Sequence, residues 1–208
     1  MTVQLTAEQV LYEHSQASVL SVDFFDTLIT RSVAQPTHVF AVMEQNLITS
    51  HGDSWRGFAV ARVEAEQRAR HGAASENEHR DITLDEIGLH LASQLALSVP
   101  DRDMVMALER ETELQLVQAV PFGIEITELA RTRGMRVVVV SDNYMPATHL
   151  LQMAHRAGYS WITEAEIFVS CEHGGLKHNG MLWLVVLSAL NVPAGSILHV
   201  GDDGNADG

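Results

Sequence analysis

The chain has 208 residues, of which 46% are hydrophobic and 19% are charged, and this is enough apolar sequence to build a buried core. The formal net charge is −14, and so acidic a surface repels nucleic acid and anionic membranes, which excludes both as expected partners. A single cysteine, Cys171, excludes an intramolecular disulfide and is typical of a reducing compartment. Without a signal-peptide pattern or an apolar run of ~20 residues, the sequence predicts a cytoplasmic protein with no membrane insertion.

The first predicted elements are a short helix and a buried strand. Thr6 and Gln9 form a capping box, which predicts a helix at the start of the chain. The run from Val19 to Phe25 is apolar except for Ser21 and Asp23, and this pattern predicts a strand that is buried in the core.

The next segment, 36–119, has mainly helical patterns. Apolar residues at helical spacing or strong helix formers occupy three of its stretches, 38–47, 58–70 and 101–120. Thr83 and Glu86 form a second capping box, which opens another helix. The polar stretch 71–80 predicts an exposed loop. We therefore expect this segment to be an all-helical insertion.

After Pro121 the predicted strands and helices alternate. The predicted strands are 137–140, 167–170 and 197–200, and the predicted helices are 124–131, 146–157 and 181–190. This alternation predicts an α/β fold, in which a Rossmann-like parallel sheet core (1–35 and 120–208) carries an inserted all-helical cap (36–119). Because a parallel sheet normally continues with a helix after such a last strand, we also expect the chain to be one segment of a longer polypeptide.

Four polar clusters lie at the C-terminal ends of the predicted strands or in the loops between them. They are Asp23 with Asp26 and Thr27; Ser141 with Asp142 and Asn143; Lys177; and Asp202 with Asp203 and Asp207. Ligands of open parallel sheets bind beyond these strand ends, so we expect the clusters to face one crevice. Clustered carboxylates favour Mg²⁺, while a hydroxyl and an ammonium donate to phosphate oxygens. The combination indicates phosphoryl transfer, with a carboxylate as nucleophile.

Four motifs carry a resemblance to a known family. In chain order they are the segments Ser21–Leu28, Val137–Ser141, Gly174–Gly180 and Gly201–Asp207. They resemble the nucleophile motif, the phosphate-binding motif, the lysine motif and the acidic metal motif of the haloacid dehalogenase-like (HAD) superfamily. The resemblance covers nearly the whole chain, and the order of the motifs on matching elements makes it specific.

The resemblance implies a role for each matching residue. The implied catalytic residues are Asp23 as nucleophile, with Ser141 and Lys177 holding the phosphoryl oxygens. The implied ligands of a Mg²⁺ ion are Asp23, the backbone carbonyl of Phe25, Asp202, Asp203 and Asp207, with Asp203 or Asp207 orienting metal-bound water. The further expected substrate-binding residues are Thr27, Arg31, Asp142 and Asn143. The inserted helices would form a cap that closes over a small phosphorylated substrate.

A narrower resemblance concerns a subgroup of the superfamily. The segment Asp23–Leu28, followed by Arg31, Arg62 and Glu66, and the segment Ser141–Pro146 are similar to predicted bacterial hydrolases. Some of these are fused to glycosyltransferases or linked to surface-polysaccharide synthesis. This similarity implies a sugar-related substrate and a glycosyltransferase as fusion or partner. Arg62 and Glu66 are also spaced as an ordinary helix ion pair, an interpretation that stays open from sequence.

One position departs from the pattern of superfamily phosphatases. These enzymes usually carry a general-acid Asp two residues after the nucleophile, where this chain has Phe25. A general acid typically contributes ~10²–10⁴-fold to the rate. Asp26 could take over the role of the acid if the chain turns there, and Arg31 or a cap histidine could also do so. We therefore expect the enzyme to favour substrates with good leaving groups.

Several alternatives remain open from the sequence. Asp26 could itself be the nucleophile, with Thr30 at the position four residues later, and Lys177 could be an ordinary loop lysine. A metal-independent dehalogenase also lacks the second Asp, although the acidic run that begins at Asp202 argues against it. A phosphorylatable receiver domain would place its acidic pair before the phosphorylated Asp. A non-catalytic HAD-like binding domain is favoured by Phe25.

Overall fold

The protein is described here from a computed structural model, and the structure describes residues 5–77 and 79–202. The elements in chain order are α1 (Ala7–Glu13), β1 (Val19–Val22), β2 (Ile29–Arg31), α2 (His38–His51), α3 (Phe58–Glu76), α4 (Leu84–Leu95), α5 (Val99–Leu116), β3 (Val117–Ala119), α6 (Pro121–Thr132), β4 (Arg136–Ser141), α7 (Ala147–Arg156), β5 (Ile167–Val169), α8 (Ser170–His173), α9 (Met181–Leu190) and β6 (Ile197–Val200).

A four-stranded parallel sheet in the order β5-β4-β1-β6 forms the centre of the molecule. In β4 the alternate residues Val138 and Val140 pack with α9, while Val137 and Val139 belong to the larger core on the opposite face. Helices therefore cover both faces, which explains why the four central residues of the strand are all valines. The α/β fold with a Rossmann-like parallel sheet core is confirmed.

Four helices, α2 to α5, lie between β2 and β3, and these two short strands pair with each other in an antiparallel ribbon. In α3 the residues Ala61, Ala65, Ala69 and Ala73 are all buried, and they follow one another at the four-residue spacing of a single helix face. Small side chains on that face let α3 pack closely against its neighbours. We call the segment from α2 to α5 the cap.

Several predicted boundaries were wrong. The expected loop 71–80 is helical as far as Glu76, because Ala73 continues the buried alanine face of α3. The helix predicted to reach residue 120 ends at Leu116, and residues 117–119 form β3 instead. Strand β1 ends at Val22 rather than Phe25, because the chain turns directly after Asp23. Pairing with a distant strand determines β3, and periodicity within the segment does not show such pairing.

Two further boundaries differ, because the predicted strand 167–170 ends at Val169 with helix α8 beginning at Ser170, and α6 begins at Pro121 rather than at residue 124. The remaining predicted helices overlap those in the structure. Both expected capping boxes are present, at Thr6 with Gln9 and at Thr83 with Glu86. Helix α9 has the predicted bounds. Within the part of the chain that the structure describes, no helix combines the length and the apolar character that crossing a bilayer would require.

Helix α7 carries a buried histidine whose ring has an incomplete set of hydrogen bonds among the described residues. His149 is only 3% exposed, and its Nε2 atom has no hydrogen-bond partner among the described residues. Burial, with a smaller contribution from the charge of Arg110 in α5, lowers the pKa of His149 to about 4. The ring is therefore neutral in the folded protein throughout the physiological range.

Because the pKa of His149 is lowered in the folded state, we expect the protein to lose stability in mild acid. In the unfolded chain its pKa returns to about 6.5, so only the unfolded state binds the proton between pH 6.5 and pH 4. The free energy of unfolding should fall by up to roughly 3 kcal/mol as the pH is lowered through that window. Urea unfolding at several pH values should show a smaller acid loss in His149→Leu than in the wild type. His71→Leu, which replaces an exposed histidine, provides the control for the substitution itself.

Candidate active site

The expected nucleophile lies at the C-terminal end of a central strand. Asp23 directly follows β1, and its N–H donates to the carbonyl of Val200 at the end of β6 (2.9 Å). The carboxylate is nearly buried, with 12% of its side chain exposed, and Lys177 Nζ donates to its Oδ1 at 2.7 Å. The strand therefore presents one carboxylate at the edge of the sheet, with an ammonium group in direct contact.

The chain turns tightly after Asp23. Leu28 N–H and Ile29 N–H both donate to the carbonyl of Phe24, at 3.1 and 3.0 Å. Asp26 has a left-handed backbone (φ 55°), which Asp tolerates better than most residues. Its side chain is exposed and accepts a hydrogen bond from the hydroxyl of Thr30 (2.8 Å). This geometry favours Asp23 over Asp26 as nucleophile.

Helix α6 packs against the turn through a glycine. A Cβ atom at Gly123 would lie 2.4 Å from the carbonyl oxygen of Thr27 and 2.9 Å from the Cα of Leu28, so no larger residue fits without movement. Tyr159 supports the same turn, because its hydroxyl donates to the carbonyl of Leu28 (2.8 Å). Thr27 is buried in this turn, four residues after Asp23.

The expected phosphate-binding residue lies on the neighbouring strand. Ser141 is the last residue of β4, is nearly buried, and its hydroxyl makes no hydrogen bond to any described residue. Asp142, the next residue, accepts the backbone N–H of Lys177 at 2.9 and 3.2 Å. The structure thus brings Asp23, Ser141 and Lys177 to the same edge of the sheet, on the adjacent strands β1 and β4 and the loop before α9.

Lys177 and Asp142 form a polar pair inside the protein. The lysine side chain is 3% exposed, so its ammonium is removed from bulk water. Burial raises the pKa of Asp142, and the N–H and charge of Lys177 oppose that rise. The loop lysine expected as an alternative would have been solvated, and the observed burial favours a role in the site.

Arg31 stacks on the residue that replaces the usual general acid. Its guanidinium carbon lies 3.7 Å from the ring centroid of Phe25, and its Nε donates to Glu113 of α5 at 2.7 Å. Burial is the main cause that raises the pKa of Glu113. A guanidinium does not release its proton in proteins, so Arg31 can stabilise charge on a leaving group but cannot protonate it.

The residues expected to hold a metal are only partly within the described chain. Asp202 is exposed two residues after β6, while Asp203 and Asp207 lie outside the described residues. The Phe25 carbonyl accepts no hydrogen bond from residues 5–77 or 79–202, so it is free to bind a ligand. Carboxylate and carbonyl oxygens suit Mg²⁺, and the donor set therefore fits this ion. No three His, Cys, Asp or Glu side chains cluster as a metal site in that part of the chain.

The cap contributes buried charges, of which the sequence analysis named Arg62 but missed its partner Glu109. Arg62 of α3 is fully buried and makes a bidentate contact with Glu109 of α5, at 2.7 and 2.6 Å. A third hydrogen bond joins it to Glu66 (3.2 Å), so the pair is more than the surface ion pair that the spacing allowed. Glu109 and Glu113 lie on the face of α5 that also carries Met106. The signal in the sequence was that Glu109 and Glu113 occupy positions of α5 at which the helical spacing predicts buried apolar residues.

Solved structures with the same fold include both dehalogenases and a hydrolase. A 2-haloacid dehalogenase from Pseudomonas syringae pv. tomato DC3000 is 18% identical (TM-score 0.58; 92% of this chain, 80% of that chain). The HAD-hydrolase YfnB from Bacillus subtilis, bound to magnesium, is 16% identical (TM-score 0.61; 92% and 82%). The L-2-haloacid dehalogenase from Xanthobacter autotrophicus, in a structure with chloropropionic acid covalently bound, is 13% identical to this chain (TM-score 0.58; 91% and 71%). No family model and no curated protein matches the sequence.

A Rossmann-like parallel sheet, an aspartate paired with a lysine at its strand ends and an inserted helical segment together define the architecture of this chain. The chain has the fold of the HAD-like hydrolases, as the four motifs predicted. At these levels of identity the likeness concerns the fold.

Proposed function

We propose that the protein is a Mg²⁺-dependent phosphoric monoester hydrolase that acts on a small phosphorylated metabolite through an aspartyl-phosphate on Asp23. The observation that carries this proposal is the buried Asp23–Lys177 pair (2.7 Å) with the unbonded hydroxyl of Ser141 on the adjacent strand. A nucleophile, a cation and a free donor are the groups that phosphoryl transfer needs.

The reaction has two steps. In the first, an oxygen of Asp23 forms a bond to phosphorus as the bond from phosphorus to the ester oxygen breaks, and the ester oxygen takes up a proton from solvent water as the alcohol leaves. In the second, water attacks phosphorus and releases inorganic phosphate, which regenerates the carboxylate. Lys177 and Ser141 donate hydrogen bonds to the phosphoryl oxygens and stabilise their charge in both steps.

The residues suited to hold Mg²⁺ are Asp23, Asp202 and the backbone carbonyl of Phe25, together with Asp203 and Asp207. When bound, the ion offsets repulsion between the carboxylates and the phosphate. This requirement follows also from the net charge of −14, which otherwise disfavours any anionic substrate.

The proposal extends to the surroundings of the enzyme. The subgroup resemblance supports a sugar-related substrate and a glycosyltransferase as fusion or partner, and the single cysteine supports a cytoplasmic location. A screen of phosphorylated metabolites, weighted to sugar phosphates and nucleotide-sugar phosphates, tests the reaction class. Phosphate release that requires Mg²⁺ and is lost with EDTA is the expected result. Absence of release from every phosphate would overturn the proposal.

A metal-independent dehalogenase is the second candidate. It is favoured by Phe25, which stands where a phosphatase usually carries its acid, and by the dehalogenases among the structures of the same fold. In that reaction Asp23 would displace halide from carbon and form an ester that water hydrolyses. Chloride release from 2-chloropropionate in the presence of EDTA, without phosphatase activity, would support this candidate instead.

Because Phe25 stands at the general-acid position, we expect the rate of hydrolysis to depend strongly on the leaving group. Without a general acid, an alkyl phosphate should be hydrolysed ~10²–10⁴-fold less efficiently than an aryl phosphate, whose phenolate needs little protonation. Phe25→Asp should raise kcat/KM for the alkyl phosphate more than for the aryl phosphate. Phe25→Leu, which supplies no acid, is the control. Equal turnover of both substrates by the wild type would show that another group protonates the leaving oxygen.

A further inference from the structure

Residues 79–84 form a linker segment that leads from α3 to the first residue of α4 in the cap, and this segment also contacts the core. It makes three hydrogen bonds to core loops: Asn179 Nδ2 donates to the His79 carbonyl (3.1 Å), Ser170 Oγ donates to Asp81 Oδ2 (2.6 Å), and Leu84 N–H donates to the Tyr144 carbonyl (3.0 Å). These loops are the ones that follow β4 and β5 and that carry Lys177. One short piece of the cap therefore contacts the loops on this side of the site.

Asp81 is the central residue of this linker. It is 6% exposed, and its Oδ1 accepts hydrogen bonds from Ile82 N–H (2.8 Å) and from Arg70 of α3 (2.9 Å). Its Oδ2 accepts the hydroxyl of Ser170 in the core. The carboxylate thus joins the cap helix to the start of α8, and no part of the proposed chemistry explains its burial.

The hydroxyl of Ser170 connects Asp81 to the loop after β4. Ser170 is fully buried, and its hydroxyl donates to the Asp81 carboxylate at 2.6 Å, a much shorter contact than the 3.4 Å to its other acceptor, the carbonyl of Asn143. Its lone pairs then face the backbone N–H of Asn143, which donates to Ser170 Oγ at 2.8 Å. Asp81 therefore determines which way the hydroxyl points, and the hydroxyl in turn holds the loop after β4.

Asn143 lies within the candidate active-site loop. Its side-chain Oδ1 accepts the N–H of Met145 (2.7 Å), which closes a turn. Asp142, between Asn143 and Ser141, accepts the backbone N–H of Lys177 (2.9 Å). The path from the cap therefore ends beside both groups that are proposed to hold the phosphoryl oxygens.

We propose that Asp81 is a positioning residue, which acts through Ser170 to hold the loop of Ser141 and Asp142 in the conformation that binds the phosphoryl group. The part that concerns phosphoryl binding rests on the proposed function. Asp81 touches neither the substrate site nor the nucleophile, and its effect is carried by two buried hydrogen bonds in series.

The test combines two variants with two controls. Ser170→Ala and Asp81→Ala each break the path, and the first does so without removing a charge. Asp85→Ala is the matched control, because Asp85 is exposed one residue beyond this segment, in the first turn of α4, and its side chain makes no hydrogen bond among the described residues. Leu91→Ala destabilises the buried core of the cap without touching the path. The amide exchange of Asn143, the kcat and KM for an aryl phosphate with Mg²⁺, and the urea midpoint are measured for each.

We expect the Asn143 amide to exchange roughly tenfold faster in Ser170→Ala and in Asp81→Ala, with a roughly tenfold lower kcat well below the unfolding midpoint. The double variant should be no worse than either single one, since both act on one path. Asp85→Ala and Leu91→Ala should leave kcat within about twofold.

Two outcomes would overturn the proposal. One is an Asn143 amide that stays protected in both path variants, and the other is a kcat that falls as far in Leu91→Ala as in Ser170→Ala. If the wild type hydrolyses no phosphate, the proposed function fails by itself. The exchange of Asn143 then decides alone, with lost protection supporting the positioning of the loop by Asp81 and retained protection refuting it.

Discussion

Asp23→Asn is expected to lower turnover by roughly 10⁴-fold or more, because the amide cannot attack phosphorus as the carboxylate does. The substitution keeps the shape of the side chain at the end of β1. It also removes the charge that lies 2.7 Å from the buried Lys177, so the urea midpoint is measured alongside kcat. Trapping of a labelled aspartyl-phosphate in the wild type, and its absence in the variant, would identify the nucleophile directly.

Asp26→Asn is the matched control for this experiment. Asp26 is three residues away and exposed, its side chain bonds to Thr30 alone among the described residues, and Asn accepts its left-handed backbone as readily as Asp does. We expect its kcat to stay within about tenfold of the wild type, since its exposed side chain supports the turn through the hydroxyl of Thr30. If Asp26→Asn were inactive and Asp23→Asn active, the nucleophile would be Asp26. If both retained activity, no aspartyl-phosphate mechanism at this turn would hold.

Arg62→Ala is expected to produce the largest loss of stability in the cap. Arg62 and Glu109 are both fully buried, and their bidentate contact lies beneath the ring of Phe40, 4.4 Å from the guanidinium carbon. The truncation leaves the Glu109 carboxylate buried without its cation and opens a cavity. The free energy of unfolding should fall by ~3–5 kcal/mol, measured by urea denaturation.

Arg68→Ala in the same helix provides the comparison. Arg68 is 52% exposed and pairs with the equally accessible Glu64, so its loss should cost less than ~1 kcal/mol. Replacing both buried partners, as in Arg62→Met with Glu109→Leu, should recover most of the stability, because an apolar pair has no desolvation cost. A double variant as unstable as Arg62→Ala would show that the charges themselves, and not the unpaired carboxylate, determine the stability of the cap.

The parts of the fold that sequence predicted well are those that local pattern determines. The valine run of β4 is buried on both faces, and the apolar run of α9 has the bounds that the sequence indicated. The ribbon of β2 with β3 was missed, because each strand has only three residues and its partner is distant in the chain. The end of α3 was missed because polar residues and a glycine surround the buried Ala73, and this composition is typical of a loop.

The candidate site shows the same division. Asp23, Ser141 and Lys177 could be named because each is a polar residue at the end of a strand or in a glycine-rich loop, and the structure brings them together. Asp81 and Glu113 could not be named as buried partners, since charged residues on helices and linkers are usually solvated. Their burial depends on how the cap lies against the core, which one sequence does not reveal.

The ribbon of β2 and β3 gives the insertion a simple relation to the rest of the chain. Ile29 pairs with Ala119 and Arg31 with Val117, so the point where the chain leaves the core and the point where it returns are neighbours. In topological terms the cap is the loop of a β-hairpin, and the entropy of closing a loop grows only slowly with its length. Helices could be gained, lost or exchanged between these strands during evolution without any change in the parallel sheet that positions Asp23 and Ser141.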